Sequence, residues 1–162
     1  MRGGLPGALP SRTLNTMSDS PPLSGNAAAL QAAARKAAEN AYAPYSGFRV
    51  GAALLFDDGF TATGCNVENM SYGLTVCAER TALFSAIAQR GSGHKIVAIA
   101  VTNLNGASSP PCGACRQVLS EFVSSDATIS FPNDNGPSPS EVSVIQRPFA
   151  EIFPFTFHLD PK

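Results

Sequence analysis

The chain has 162 residues, a length that suits a single domain built around one hydrophobic core. Its 11 lysine and arginine residues nearly balance 12 aspartate and glutamate residues, so its net charge provides no general attraction to nucleic acids or anionic membranes. We therefore expect a small-molecule partner, no nucleic-acid polymer and no membrane, and the charged fraction of only 14% favours a subunit that covers surface in an oligomer.

The N-terminal segment differs in composition from the rest of the chain. Residues 1–26 are rich in Gly, Pro and Ser and predict a flexible tail ahead of a domain over residues 27–162. Arg2 and Arg12 resemble the basic residues of a mitochondrial transit peptide, but Pro and Gly interrupt this stretch, and no secretory signal precedes the domain. We therefore expect a cytoplasmic protein, whose cysteines serve a metal site or catalysis rather than disulfides.

The first predicted elements are a helix and a hairpin. Ala27–Tyr42 is rich in Ala and contains no Gly or Pro, which predicts a helix that ends before the following proline. Tyr45-Ser46-Gly47 then predicts a turn. Phe48–Phe56 and Phe60–Asn66 flank Asp57-Asp58-Gly59, and this arrangement predicts a β-hairpin in which Asp-Gly supplies the positive φ angles of a tight turn.

The rest of the domain alternates helices and strands. Glu79–Arg90 predicts a helix with Gly91 as its C-cap, and the apolar run Lys95–Thr102 predicts a strand that is covered on both faces. The later predicted elements are a helix at Cys112–Val123, strands at Ala127–Phe131 and Glu141–Gln146 separated by a loop at Pro132–Ser140, and a short helix at Phe149–Phe153. This order predicts an α/β fold, a three-layer α-β-α sandwich with a central five-stranded mixed sheet.

Three of the cysteines form a pattern that favours a metal site. Cys112-Gly113-Ala114-Cys115 places two thiols on one turn at a predicted helix start, although a CxxC motif alone also fits a redox dithiol or chance. Cys77 also precedes a helix, and a helix–strand–helix unit can bring both helix starts, with their partial positive charge, to one end of the sheet. Three sulfur ligands favour one zinc ion per subunit, with the fourth coordination position open for catalysis.

Two charged residues near Cys77 complete this hypothesis. Glu79 has no cation at helical spacing that would explain it as a surface ion pair, and we interpret it as a proton shuttle rather than a solvated first-turn glutamate. Three thiolates around a divalent ion leave a net negative charge, so we expect Arg80 and the helix N-termini to compensate it. The alternative for Arg80 is an exposed arginine on the helix surface.

Several segments together carry a family resemblance. They are Tyr45-Ser46-Gly47-Phe48-Arg49-Val50-Gly51-Ala52-Ala53-Leu54, Gly64-Cys65-Asn66-Val67-Glu68-Asn69, Ser71-Tyr72-Gly73, Cys77-Ala78-Glu79-Arg80-Thr81-Ala82 and Pro111-Cys112-Gly113-Ala114-Cys115-Arg116-Gln117. In this order and spacing the chain, from about Ala27 to Phe157, resembles the small homotetrameric cytidine deaminases, and Cys77-x-Glu79 with Pro111-Cys112-x-x-Cys115 resembles the signature of zinc deaminases.

The resemblance implies roles for further residues. Those implied for the substrate are Phe48, which stacks on the base, Asn66 and Glu68, which hold the ribose, Ala78, whose main chain holds the pyrimidine edge, and Tyr72 and Tyr45, which line and close the pocket. Phe157, with Phe155 as its rival, is implied to complete the pocket of a neighbouring subunit in a homotetramer. Cys65 is expected to be a buried strand thiol, and His94 and His158 are not expected to bind zinc.

The resemblance also implies the reaction. It is the hydrolytic deamination of cytidine and deoxycytidine to uridine and deoxyuridine with release of ammonia, a step of pyrimidine salvage, in which Glu79 moves a proton from water to the ring nitrogen and then to the leaving amine. Two alternatives remain at this point. One is a deaminase of another cytosine nucleoside, as in the blasticidin S deaminases, and the other is a non-catalytic structural zinc module that would need Cys65 as a fourth ligand.

Overall fold

The computed structural model describes residues 25–134 and 143–159 and confirms the predicted three-layer α/β architecture. The elements in chain order are helix α1 (Gly25–Ala38), strands β1 (Val50–Phe56) and β2 (Thr61–Cys65), a 3₁₀ helix (Tyr72–Leu74), helix α2 (Ala78–Arg90), strand β3 (Ile96–Asn103), helix α3 (Gly113–Ser120), strands β4 (Val123–Asn133) and β5 (Ser143–Pro148), and helix α4 (Phe149–Ile152). The strand order is β2-β1-β3-β4-β5; β3 and β4 pair in parallel, and the other neighbouring strands pair antiparallel. In these two ranges, no helix has the length and apolar character that a membrane span requires.

Alternate side chains of β1 divide the core between two helical layers. Ala52, Leu54 and Phe56 pack into the larger cluster, which also contains side chains of α2, α3 and α4. Ala53 and Leu55 pack on the opposite face with side chains of α1. Because successive residues of a strand point to opposite faces, the apolar run of β1 is buried on both sides, as in a sheet between two helical layers.

Two glycines allow helices to approach the backbone of the sheet. A Cβ atom on Gly51 would lie 2.6 Å from the amide nitrogen of Ala38 in α1, and one on Gly64 would lie 2.7 Å from the carbonyl oxygen of Ala78 in α2. Both distances are too short for real side chains, and the atoms that would have to move belong to helix backbone. Because α2 begins directly after Cys77, the contact at Gly64 determines where the start of α2 lies against β2.

The ends of α1 differ from the predicted ones. The helix ends at Ala38 instead of Tyr42, because Tyr42 forms an isolated β-bridge with Val67 and so leaves the helical path. It begins at Gly25, two residues before the predicted domain boundary. The remainder of the predicted tail, residues 1–24, lies outside the described residues.

The boundary between α3 and β4 was also predicted incorrectly. The helix ends at Ser120 instead of Val123, and β4 begins at Val123 instead of Ala127. The reason is tertiary, because Val123 pairs with Ile96 at the start of β3. Most of the predicted loop after β4 and the first two residues of the predicted β5 lie outside the described residues.

The hairpin turn at Asp57-Asp58-Gly59 is present, but its conformation corrects the prediction. Only the glycine has a positive φ, 85°, and no other residue type among the described residues has one. Phe56 N donates to Phe60 O at 2.9 Å, and Gly59 N donates to Phe56 O at 3.0 Å. A three-residue loop of this kind needs one left-handed residue rather than two. Gly91, with a φ of 74°, caps α2 as predicted.

We expect Gly64→Ala to destabilise the fold, since the added methyl group would collide with the backbone of α2. Overpacking of this kind costs about 1–3 kcal/mol, and it is measured as a lower urea midpoint at an unchanged slope. Gly93→Ala is the matched control, because a Cβ atom there meets nothing within 4 Å. Equal midpoints for the two variants would contradict the close approach of α2 to β2.

Candidate active site

Three thiols converge where α2 and α3 begin. The Sγ atoms of Cys77, Cys112 and Cys115 all lie within 4.8 Å of one another, and those of Cys77 and Cys112 are 3.9 Å apart. Cys77 is the N-cap residue of α2 and Cys112 is the N-cap residue of α3, while Cys115 is fully buried in α3. The helix–strand–helix unit therefore brings both helix starts to one end of the sheet, as the sequence predicts.

This donor set fits zinc. Three thiolate sulfurs around one point match the soft ligands and tetrahedral preference of zinc and leave one side for a further ligand. Cys65 is not part of this group in the described part of the chain. It is half-buried in β2, opposite Gly51, and burial raises the pKa of its thiol. The geometry does not favour a structural site with four cysteine ligands.

Positive charge lies against the sulfur atoms. A hydrogen bond from Cys115 is the main cause that lowers the pKa of Cys77 to about 5, and the guanidinium of Arg80 contributes to the same shift. Arg80 Nη2 lies 3.5 Å from Cys77 Sγ and 3.2 Å from the carbonyl oxygen of Thr75, which orients it. The hydrogen bond with Cys77 raises the pKa of Cys115. Arg80 is therefore half-buried with its positive charge beside a thiol, and it is not an exposed arginine on the helix surface.

Glu79 lies in the first turn of α2 beside the thiols. Its side chain is only 4% exposed, and this burial is the main cause that raises its pKa to about 6. It lines the same cavity as Cys77 and Cys112. A carboxyl group in such a place can take up and release a proton next to a metal-bound ligand, which is the chemistry of a general acid and base.

A cavity of about 440 Å³ opens above these groups. A volume of this size suits a small organic ligand. The predicted site residues that line it are Phe48, Asn66, Glu68, Cys77, Ala78, Glu79 and Cys112. The lining residues that the sequence did not predict are Ser46, Val50, Thr75, Val101, Ser108, Ser109 and Pro110.

Three of the predicted substrate residues lie outside this cavity. Tyr45 and Tyr72 are exposed and contact each other edge to face, with ring centroids 6.0 Å apart. The side chain of Phe157 is 67% exposed, and that of Phe155 is 91% exposed. Gln117 holds the backbone of Phe157, because its Nε2 donates to Phe157 O at 3.1 Å and its Oε1 accepts from Phe157 N at 3.4 Å. The backbone at Phe157 is fixed although its ring is uncovered.

Asn103 organises a wall of the cavity that the sequence did not indicate. This residue ends β3 and is 4% exposed. Its Nδ2 donates to Ala107 O at 2.6 Å and to Ser109 Oγ at 2.9 Å, and its Oδ1 accepts from the amides of Asn105 and Ala107. The sequence contains one indication that residues 104–110 belong to the site, which is that they directly precede the Pro-Cys-x-x-Cys motif.

A second group of potential metal ligands lies at the other end of the sheet. The ligand atoms of Asp57, Asp58 and His94 also lie within 4.8 Å of one another. These groups already pair among themselves and with a neighbouring cation, since His94 Nδ1 is 2.9 Å from Asp57 Oδ1 and Arg90 forms an ion pair with Asp58. The cluster therefore ties the hairpin turn to the segment that precedes β3. His94 belongs to this cluster and not to the group of three thiols.

Comparisons with known proteins give one consistent result. The model of the zinc-binding region of cytidine and deoxycytidylate deaminases matches residues 25–130. A cytidine deaminase of Mycobacterium tuberculosis is 44% identical over 131 residues, which are 81% of this chain and 89% of that protein. A cytidine deaminase of Halalkalibacterium halodurans is 52% identical over 101 residues, which are 62% of this chain and 75% of that protein.

Solved structures give the same relationship. The crystal structure of cytidine deaminase from Burkholderia pseudomallei superposes with a TM-score of 0.67 at 45% identity, covering 80% of this chain and 98% of that one. The crystal structure of cytidine deaminase from Mycobacterium tuberculosis gives a TM-score of 0.66 at 40% identity, covering 82% of this chain and 97% of that one. The similarity therefore extends over nearly the whole of each solved chain.

We expect Cys112→Ser to lose zinc, because two thiols cannot replace a set of three. Purified wild type should contain about one zinc per chain by atomic emission, and the variant should contain almost none. Cys65→Ser is the matched control and should keep the wild-type zinc content. Loss of zinc from the control variant would instead support a site with four cysteine ligands.

Proposed function

The chain belongs to the cytidine and deoxycytidylate deaminase family, and from that premise we propose that it is a zinc-dependent hydrolase that converts cytidine to uridine and ammonia. The observation that carries this function is that the buried Glu79 lies beside three converging thiols and lines one cavity with two of them, Cys77 and Cys112. Neither a redox dithiol nor a structural zinc module needs a buried carboxyl group at that place. The two relatives reported above are both cytidine deaminases, which favours cytidine over another cytosine nucleoside.

Cys77, Cys112 and Cys115 hold the zinc ion. When bound, zinc acts as a Lewis acid that lowers the pKa of a water molecule and so supplies a nucleophile at neutral pH. Negative charge from three thiolates would weaken this effect. Arg80, which contacts Cys77 Sγ, and the N-terminal ends of α2 and α3 offset that charge.

Glu79 moves the protons of the reaction. Its carboxylate accepts a proton from the attacking water and delivers it to the N3 atom of the pyrimidine as oxygen adds at C4. The carboxylate then takes the second proton of the water from the hydroxyl group now on C4 and passes it to the exocyclic amine. The amine leaves as ammonia when its bond to C4 breaks and the C4 carbonyl forms, and N3 keeps its proton in the product. The main chain at Ala78, which also lines the cavity, holds the edge of the base during these steps.

The remaining walls select a nucleoside. The ring of Phe48 offers an aromatic face to the base, and Asn66 and Glu68, which line the same cavity, are the polar partners for the sugar. The sugar contacts hold its 3′ side, and none singles out the 2′-hydroxyl group, so deoxycytidine serves as a substrate as well. The near balance of charges along the chain supports a free nucleoside rather than a polynucleotide.

The working form proposed for the protein is a homotetramer in which Phe157 completes a neighbouring pocket. Large apolar side chains on the surface support this assembly, among them Met70, 81% exposed, and Leu74, 67% exposed. Tyr72 and Tyr45 form an aromatic pair on the same exposed region and would be covered by a neighbour. The two hydrogen bonds of Gln117 favour Phe157 over Phe155 as the residue that enters the neighbouring pocket, since they fix the backbone from which the Phe157 ring projects.

The proposed setting is the cytoplasm, where the reaction returns cytosine nucleosides to the uridine pool in pyrimidine salvage. Support for this location comes from the three ligand thiols, which must stay reduced to bind zinc.

We expect Glu79→Gln to abolish the deamination of cytidine while zinc is retained. The amide has nearly the same shape but cannot carry the proton, so kcat should fall by about 10²–10⁴-fold in an assay of ultraviolet absorbance loss. Glu121→Gln is the matched control, because that side chain is exposed and distant from the thiols. Full activity of the Glu79 variant would remove this residue from the reaction, and an inactive wild type that contains zinc would overturn the proposed substrate.

A mixing experiment tests the shared pocket. We expect Phe157→Ala to raise the KM for cytidine by about tenfold, through the lost aromatic contact. Coexpression of Phe157→Ala with Glu79→Gln should then restore wild-type kinetics in a fraction of pockets, because one subunit supplies Glu79 and its neighbour supplies Phe157. Phe155→Ala serves as the control in the same mixture. If neither phenylalanine variant regains the wild-type KM when coexpressed with Glu79→Gln, the proposed assembly is contradicted. A monomer by light scattering that is fully active would contradict it as well.

A further inference from the structure

The carboxylate of Glu68 is held by the turn that precedes Phe48. Its Oε2 accepts hydrogen bonds from the amides of Tyr45 at 2.9 Å and Ser46 at 3.2 Å, and its Oε1 accepts from the hydroxyl group of Ser46. The Ser46 hydroxyl is the main cause that lowers the pKa of Glu68, and the two amides add to it. Both carboxylate oxygens of Glu68, the residue assigned to the sugar, therefore have hydrogen-bond partners in the turn before any ligand binds.

The hydroxyl group of Ser46 has a second partner on the base side of the cavity. Its Oγ accepts a hydrogen bond from Phe48 N at 2.9 Å while it donates to Glu68. The carbonyl oxygen of Phe48 accepts from Asn66 Nδ2 at 2.8 Å. The backbone of Phe48 is thus held on one side through Ser46 and on the other by Asn66. The groups assigned to the base and to the sugar belong to one hydrogen-bonded unit.

We propose that Ser46 is a positioning residue that couples recognition of the sugar to recognition of the base, because its single hydroxyl group orients the Glu68 carboxylate and the Phe48 backbone together. The inference rests on the proposed function, since it concerns the sugar and base of that substrate. A carboxylate has about four acceptor sites, so Glu68 can keep these bonds and still accept one from a sugar hydroxyl. Ser46 would then determine which acceptor site faces the sugar.

The turn has other contacts that keep it folded without this hydroxyl group. Gly47 N donates to Ala43 O at 3.0 Å, and Asn105 Nδ2 donates to Gly47 O at 3.1 Å. Asn105 Oδ1 also accepts from Arg49 N at 2.9 Å. Removal of the Ser46 hydroxyl is therefore expected to change the orientation of Glu68 and Phe48 more than the stability of the domain.

The test compares the kinetics of cytidine and 3′-deoxycytidine, which lacks the hydroxyl group on the side assigned to Glu68. Ser46→Ala should lower kcat/KM for cytidine by about tenfold, mostly through KM, which is the usual effect of losing a hydrogen bond to a charged group. Its preference for cytidine over the 3′-deoxy compound should also fall by about tenfold. Ser46→Thr, which keeps the hydroxyl group, should retain the wild-type preference, and Ser92→Ala, in the exposed loop before β3, is the unrelated control.

A merely structural serine would give a different result. If Ser46→Ala loses activity equally on both nucleosides and Ser46→Thr is no better, the inference is overturned while the proposed function stands. A wild type that does not distinguish the two nucleosides also overturns it, because Glu68 then does nothing at the sugar that Ser46 could orient. A zinc-containing wild type that deaminates neither nucleoside overturns the proposed function, and the inference falls with it. Ser46→Cys, whose thiol is a weak donor, should show the same loss of preference if the alanine variant does not fold.

Discussion

Three sulfur atoms from two helices must meet within 4.8 Å of one another, and most of the fold can be understood from this requirement. Both helices have to begin at the same end of the sheet, and the sheet allows this because β2, β3 and β4 run in the same direction. Helix α2 returns the chain from β2 past β1 to β3, and α3 returns it from β3 to the neighbouring β4. Gly64 lets α2 lie directly against β2, and the start of α2 carries both Cys77 and Glu79. One backbone contact therefore positions Cys77 and the residue proposed to carry the protons, Glu79, on the same helix start.

The same convergence creates an electrostatic problem that the surrounding residues solve. Thiolates repel one another and are costly to bury, yet Cys115 is fully buried and Cys77 is half-buried. Arg80 is held beside the sulfurs by the carbonyl of Thr75, and both helix N-termini add partial positive charge. Glu79 lies in the same dry region, where burial disfavours its charged form. Positive charge thus lies against the three thiols, while burial favours the protonated form of the neighbouring carboxyl group.

Sequence patterns predicted those parts of the molecule that depend on local chemistry. The helix starts at Cys77 and Cys112 follow from motif spacing, and β3 follows from a long apolar run, because helix and strand periodicities are local properties. The start of β4 did not follow, since Val123 becomes a strand residue only by pairing with a strand more than twenty residues earlier. The bond between Ser46 and Glu68 is of the same kind, because its two residues are 22 positions apart and only the folded hairpin brings them together. Phe157 could not be placed for another reason, since one chain leaves its ring uncovered.

The walls of the cavity are loops, and buried polar side chains give these loops a fixed shape. In the described part of the chain, Asn66, Glu68 and Asn103 are buried polar residues, each less than a tenth exposed, and each bonds to backbone of a loop at this end of the sheet. An amide or carboxylate that is buried without partners costs about 1–3 kcal/mol, so each of these side chains strongly favours the loop conformation that satisfies it. The loops therefore hold their shape before a ligand arrives, and binding need not supply the free energy to order them. The residues that would contact the sugar also maintain the pocket, since Asn66 bonds the backbone of Phe48 and Glu68 bonds the turn before it. A substitution at Asn66 or Glu68 therefore changes recognition and architecture together, whereas Ser46→Ala removes one hydroxyl group from a turn that keeps its other contacts.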